Sequence, residues 1–211
     1  GVEHPLGGIG HLGTFSFDGQ KNINCGEGGM LVVNSKELVA RAEIVWQKGT
    51  NRAAFFRGEV DKYGWVDVGS NFAMSELNAA FLFAQLQELG AINSERLLLW
   101  EAYWNIFKES GEAVVLPHVP QWATNNGHIF YLVCETLEKR THLLERFKAL
   151  NIGAAFHYQS LSRSQVVDAD SNSTPQSNRY SGCLIRLPMY VGFDFHDLRQ
   201  RIESLHNAAS F

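Results

Sequence analysis

The stretch FSFDGQKNINCGEGGMLVV, residues 15–33, constrains the fold more than any other part of the chain. Phe15 to Phe17 is short and aromatic, Met30 to Val33 is continuously apolar, and the residues between them include four glycines, two asparagines and a single lysine, Lys21. Short apolar runs bounded by such punctuation predict two buried strands flanking a turn. The turn is then held from both sides. Lysine is among the side chains least often buried without a partner, and an amine drawn out of water loses proton affinity and turns nucleophilic toward carbonyls. Taken by itself, a lysine in a turn is more often simply solvated, so its neighbours must decide.

Around that turn the chain alternates between helices and strands. Asn34 with Glu37 predicts a helix cap, Leu38, Ala42 and Val45 line one face of the helix that follows, and Gly49 ends it. Residues 50–70 show no sustained period and are expected to form a long surface loop. The spacing Met74, Leu77, Phe81, Ala84 marks an amphipathic helix, and Trp100, Tyr103, Trp104, Phe107 repeat the pattern after Gly90, as two helices or one kinked there. Aromatics at that spacing are far more often core than ligand platform, and are read as core. Beyond Gly111 the order is strand, strand, helix (Leu143, Phe147, Leu150), strand, strand, then a last helix capped by Asp194 with Leu198, Ile202 and Leu205 on one face. The fold class is therefore α/β, divided near residue 110 into segments 1–110 and 111–211. Residues 159–179, rich in Ser, Asn and Asp, are expected to form a mobile loop.

Composition excludes several functions. The 211 residues, 45% hydrophobic and 12% aromatic, suffice for one sizeable core or two small ones. A net charge of −4 with scattered Lys and Arg leaves no electrostatic footprint for nucleic acid or an anionic membrane. Three widely spaced cysteines argue against a disulfide framework or a zinc site of CxxC type. There is no apolar run of roughly 20 residues, and the start GVEHPLGG lacks a signal-peptide core, so a cytoplasmic location is expected. The chain starts without Met and in mid-pattern, which leads us to expect a segment upstream. Gly8, Gly10 and Gly13 match GxGxxG, but a strand follows them where a dinucleotide site requires a helix. Asn172, Ser173 and Thr174 read as a solvated loop. No HExxH or comparable pair supports a metal. His157, at the end of an apolar strand, is either a satisfied core residue or part of a cleft.

The neighbours of Lys21 favour chemistry at its amine. Pyridoxal phosphate (PLP) requires a lysine amine, small residues where cofactor meets backbone, and hydroxyl or amide donors for its phosphate; Gly19, Gly26, Gly28, Gly29 and Ser16 supply these types. SFDGQKNINCGEGGMLV, RAEIVWQKGTN, VGSNFAMSELNAAFLFAQL, IGAAFHY and RLPMY, in that order, resemble the sugar-nucleotide aminotransferases, fold type I PLP enzymes, along nearly the whole chain. FFRGEVDKYGWVDVGS is most similar to the branch acting on dTDP-4-keto-6-deoxyhexoses. The resemblance implies that residues 1–110 are the C-terminal part of a PLP-binding large domain and 111–211 its small domain. It implies that Lys21 is the Schiff-base lysine and proton shuttle, that Ser16 contacts the cofactor phosphate, and that Asn71 reaches the phosphate of the partner subunit in a homodimer. It further implies glutamate as amino donor, a 4-keto-6-deoxy sugar nucleotide as acceptor and a place in cell-surface polysaccharide biosynthesis. His157 and Tyr158, with the 50–70 loop, are the candidates for the substrate cleft. Two departures stand out: Asp18 where the family has His, and Ser160, Leu161 and Ser162 where it has Pro-Leu-His. The Asp that pairs with the cofactor ring nitrogen, expected a few residues before Gly1, is not in the chain, so these residues alone are not expected to transaminate. A non-catalytic binder of PLP or sugar nucleotide, and an interaction module, are the alternative readings.

Overall fold

The computed structural model describes residues 4–110, 113–167 and 173–207; Gly111 and Asn172 lie outside them. The chain divides into two compact units, Gly1–Leu89 and Gly90–Phe211.

In the first unit, β1 (Leu12–Ser16) and β2 (Gly29–Val33) form an antiparallel pair whose register sets Phe15 opposite Met30 and Ser16 opposite Gly29. The pairing matches the prediction, but the burial does not: Phe15, Met30 and Leu31 are exposed. A two-stranded ribbon offers two faces, and among the described residues nothing covers either fully. Asn34 does not cap the next helix. Its side-chain amide donates to the carbonyls of Gly7 and Gly10, each at 2.8 Å, and so ties the segment before β1 to the end of β2. The helix forms nonetheless, as a 3-10 turn over Lys36–Leu38 running into α1 (Val39–Trp46). Gly49, at φ +76°, follows it; a Cβ there would stand 1.9 Å from the carbonyl of Asp67, so only glycine fits this close approach.

The expected loop 50–70 contains a short helix, α2 (Arg52–Phe56), and returns through bridges pairing Thr50 with Trp65 and Gln47 with Asn71. Those backbone hydrogen bonds are non-local, so no period in the sequence announces them. α3 (Glu76–Gln87) starts at Ser75, whose hydroxyl accepts from the Asn78 N–H at 3.2 Å. Its predicted apolar face is left open: Leu77 is 84% exposed, Phe81 is exposed too, and Leu82 is the residue buried. α3 carries apolar residues almost all round, so period alone does not choose its inner face.

The second unit is built around one core. α4 (Leu89–Glu109) is a separate helix from α3; of the expected stripe Tyr103 and Phe107 are buried in the core together with Leu99, while Trp100 and Trp104 are partly buried against it. Tyr103 is fully buried and stacks on Phe130, with ring centroids 5.2 Å apart, and its hydroxyl donates to the Pro188 carbonyl. Because this stripe packs into the second core, the division falls at Leu89/Gly90, ahead of the compositional change near residue 110. The strands β3 (Val114–Val115), β4 (Phe130–Cys134) and β5 (Leu184–Leu187) form an antiparallel sheet in the order β3-β4-β5. Phe130, Leu132, Ile185 and Leu187 face the core, which α5 (Leu137–Ala149) completes with Leu143 and Phe147 and α7 (Phe195–Asn207) with Leu198 and Ile202. Asp194 caps α7 as predicted, its carboxylate accepting from the N–H groups of His196 and Asp197. GAAFHY is not a full strand: one bridge, Ala155 with Arg186, ties it to β5. Within the expected mobile loop lies order, namely a 3-10 turn over Leu161–Arg163 and α6 (Pro175–Cys183), which opens on proline at its first position, where the missing N–H costs nothing.

Candidate active site

Lys21 sits in the connection between β1 and β2, and backbone hydrogen bonds shape that connection. Phe17 N–H donates to Gly28 O at 2.8 Å, Cys25 N–H to Phe17 O and Gly19 N–H to Gly26 O at 2.9 Å, and Lys21 N–H to Asp18 O at 2.9 Å. The Asp18 carboxylate accepts from the Gln20 N–H at 3.0 Å, an Asx-type turn that directs the chain into Lys21. The residue that departs from the family's usual His thus has a local structural task. Beneath the turn Phe17, Ile23 and Cys25 are buried. Gly28 makes this packing possible, since a Cβ there would lie 2.6 Å from both Cys25 Sγ and Met74 Cε. Asn78 of α3 donates to the Glu27 carbonyl at 2.8 Å, tying the far side of the turn down.

On this platform Lys21 is half-buried, and among the described residues its ammonium has no ion-pair partner. Ser16, at the end of β1, accepts a long 3.4 Å bond from the Asp18 N–H, which leaves its hydroxyl hydrogen for another acceptor. Lys21 and Ser16 therefore share one hairpin. Asn71 belongs to the same unit but to another element, bridged to Gln47 just beyond α1, and it is exposed.

His157 and Tyr158 belong to the second unit. Their rings lie 4.5 Å apart at 36°, and they line an open groove of about 460 Å³ with Ser160, Ser162, Ser177 and Tyr180. The residues standing where the family has Pro-Leu-His build part of this groove. Ser160 is buried, within 2.9 Å of the Ser162 hydroxyl, and accepts from Ser177 at 3.1 Å, while Ser162 lies 2.6 Å from the Thr174 hydroxyl. Sequence reasoning passed over Arg186, whose guanidinium lies 3.2 Å from Nδ1 of His157. Its signal was present: in CLIRLP it is the one charge in an otherwise apolar strand, at the phase opposite the buried Ile185 and Leu187. Burial, and then the Arg186 charge, hold the His157 imidazole below its ordinary pKa. Among the described residues no cluster of His, Cys, Asp or Glu is built to hold a metal.

The sequence pattern of the DegT/DnrJ/EryC1/StrS aminotransferase family matches residues 2–206. The chain belongs to that family. It is 27% identical over 159 residues to MJ1066 of Methanocaldococcus jannaschii, an uncharacterized protein, covering 72% of this chain and 41% of that one. Spr1654 of Streptococcus pneumoniae, in its PLP form, superposes with a TM-score of 0.80 at 19% identity, over 97% of this chain and 53% of that one. Helicobacter pylori PseC, an aminotransferase involved in the biosynthesis of pseudoaminic acid, does so with a TM-score of 0.79 at 22% identity, over 98% and 55%. The chain thus spans about half the length of the relatives it matches.

DegT/DnrJ/EryC1/StrS aminotransferases use PLP, and the Lys21 turn fits such a group. It offers a primary amine without an ion-pair partner, a neighbouring hydroxyl with its hydrogen uncommitted, and glycine backbone beside both. These are the donor types an aldehyde and a phosphate ester require.

Proposed function

We propose that this chain carries the cofactor-anchoring lysine of a PLP-dependent sugar-nucleotide aminotransferase. The observation that carries the reading is the Lys21 turn, a half-buried amine on a hydrogen-bonded platform with Ser16 on the same hairpin. PLP, when bound, supplies the electron sink that lets a nitrogen pass from an amino acid to a carbonyl. Lys21 Nζ would hold that group covalently and would serve as the general base and acid that carries the proton. The Ser16 hydroxyl donates to the phosphate. The Asn71 amide donates to the phosphate held by a second subunit of a homodimer, a role suited to a side chain exposed on its own subunit.

The acceptor is assigned as a dTDP-4-keto-6-deoxyhexose, and the donor as glutamate. The stretch FFRGEVDKYGWVDVGS resembles dTDP-4-amino-4,6-dideoxygalactose transaminase, and that resemblance supports the assignment. His157 and Tyr158 receive the sugar nucleotide, in a groove whose hydroxyls and aromatic face suit a polyhydroxylated ligand. Nitrogen held by the enzyme between two substrates predicts ping-pong kinetics. Turnover is assigned to a longer protein, because the strands that carry Lys21 are largely exposed; the 211 residues by themselves are expected to lack it.

Borohydride treatment followed by peptide mass analysis of the full-length protein tests the reading. A pyridoxyl adduct on Lys21 is expected, and its absence sinks the assignment. Lys21→Ala should lower turnover about 10²–10⁴-fold, the range for losing a positioned acid–base group. Retained turnover would refute the role given to the lysine.

A further inference from the structure

One face of the second unit's sheet carries the core, and the other carries Tyr131, Val133, Leu184 and a single charge, Arg186. Successive side chains of a strand alternate, so with Ile185 and Leu187 in the core, Arg186 stands on the opposite face. Its antiparallel partner on β4 is Tyr131. On the other side, Ala155 pairs with Arg186 through N–H donations in both directions, at 2.6 and 3.0 Å. Directly paired residues project to the same face, and residues two apart along an extended segment share it. His157 is two residues beyond Ala155, and its ring meets the Arg186 guanidinium.

A guanidinium has donors only, and it stays protonated in proteins. The 3.2 Å contact between Arg186 Nη1 and His157 Nδ1 is therefore one in which the imidazole accepts. An imidazole that accepts at Nδ1 is neutral and carries its proton at Nε2. We propose that Arg186 is a positioning residue that locks His157 into the neutral tautomer with its hydrogen on Nε2, making it a hydrogen-bond donor to an oxygen of the ligand in the groove it lines. The donor role rests on the reading of the groove as the sugar-nucleotide site; the tautomer does not.

The surroundings agree. Tyr158 lies tilted against the ring and Tyr180 lines the same groove, and Arg140 is engaged over the Phe156 ring and with the Gly182 carbonyl. Among the described residues no carboxylate pairs with His157 or Arg186 to reverse the preference. Protonating His157 would turn Nδ1 into a donor aimed at a cation, and burial and Arg186 both oppose it. Because the folded state resists a proton that the unfolded chain accepts, this contribution to stability is present above the ordinary histidine pKa and is lost as pH falls through the lowered one.

Nitrogen-15 spectra of histidine-labelled full-length protein at pH 7 test the proposal, with His157→Gln identifying the signal among the eight histidines. The expected spectrum of His157 shows a bare Nδ1 and a protonated Nε2. A protonated Nδ1 in the native protein overturns the proposal, whatever any variant does. In Arg186→Met the tautomers should mix and the titration midpoint should rise; tautomer and midpoint both unchanged would equally overturn it. Adding dTDP-glucose should move the Nε2 signal in the native protein. An unmoved Nε2 would overturn the donor role while the tautomer stands, and neither readout depends on bound PLP or turnover, so the Lys21 assignment is tested separately.

Discussion

The two units keep their shape by different means. In the second, Tyr103, Phe130, Leu132, Phe147, Ile185 and Ile202 are each buried to within 2% of their surface in one continuous cluster. In the first, the buried apolar side chains among the described residues are Phe17, Ile23 and Cys25 at the lysine turn and Leu82 on α3, while Trp65, Leu77 and Val68 stand more than four-fifths exposed. What orders the first unit is chiefly backbone hydrogen bonding: the β1–β2 ladder, the nested bonds of residues 17–28 and the Gln47–Asn71 bridge. A reactive lysine can thus be oriented with little core around it, because a turn's geometry is set by close-range donors and acceptors. A groove such as that around His157 needs a rigid sheet behind it.

That contrast can be broken or sharpened by substitution, with unfolding in denaturant as the common readout. Phe147→Ala should have the largest effect, about 3–5 kcal/mol, because a fully buried ring leaves a cavity among Phe107 and its neighbours. A loss below about 1 kcal/mol would mean that the second core is looser than its burial implies. Gly28→Ala should cost roughly 1–3 kcal/mol, the usual penalty of overpacking, since its methyl meets Cys25 Sγ and Met74 Cε at 2.6 Å. It should disturb the lysine turn while leaving the second unit's unfolding unchanged. Ser75→Ala and Thr136→Ala remove matching caps, one at α3 and one at α5, and each should cost about 1 kcal/mol. Equal losses would show that local hydrogen bonds count alike in both units; a much smaller loss at Ser75 would show that α3 frays. Leu77→Ala should change stability by less than about 0.5 kcal/mol, as for exposed positions generally. A loss of 2 kcal/mol or more would show that a second copy or another polypeptide covers α3 in solution.

Legibility in the sequence followed the range of the interaction. Strands flanking Lys21, the aromatic stripe of α4, the Asp194 cap and the apolar run of β4 all follow from neighbours a few residues apart, and each was readable. The misreadings depend on distant partners. Asn34 looks like a cap because Glu37 follows it, yet its amide is taken by Gly7 and Gly10 from across the hairpin. Residues 50–70 look featureless because the partners of Gln47 and Thr50 return only at Asn71 and Trp65. Polar composition at 159–179 suggested mobility, yet the hydroxyls of Ser160, Ser162 and Thr174 hydrogen-bond to one another and α6 follows. In the candidate site, Lys21 and Ser16 were visible because the hairpin that holds them is local; the strand-end position of His157 left core and cleft both open, and Tyr158 was marked only by resemblance. Arg186 was missed, since nothing within a few residues of it reveals a histidine from another segment.

The sequence by itself determined where most of the elements lie, that Lys21 sits at the tip of a strand pair, and that the aromatic stripe at 100–107 turns toward a core. Those features depend on spacing along the chain, where the periods of helix and strand are written directly. The tertiary structure alone decided which apolar faces are covered, that α4 joins the second core, and that Arg186 meets His157. Burial and cross-strand contact are properties of segments brought together in space, and no period within one segment encodes its partner.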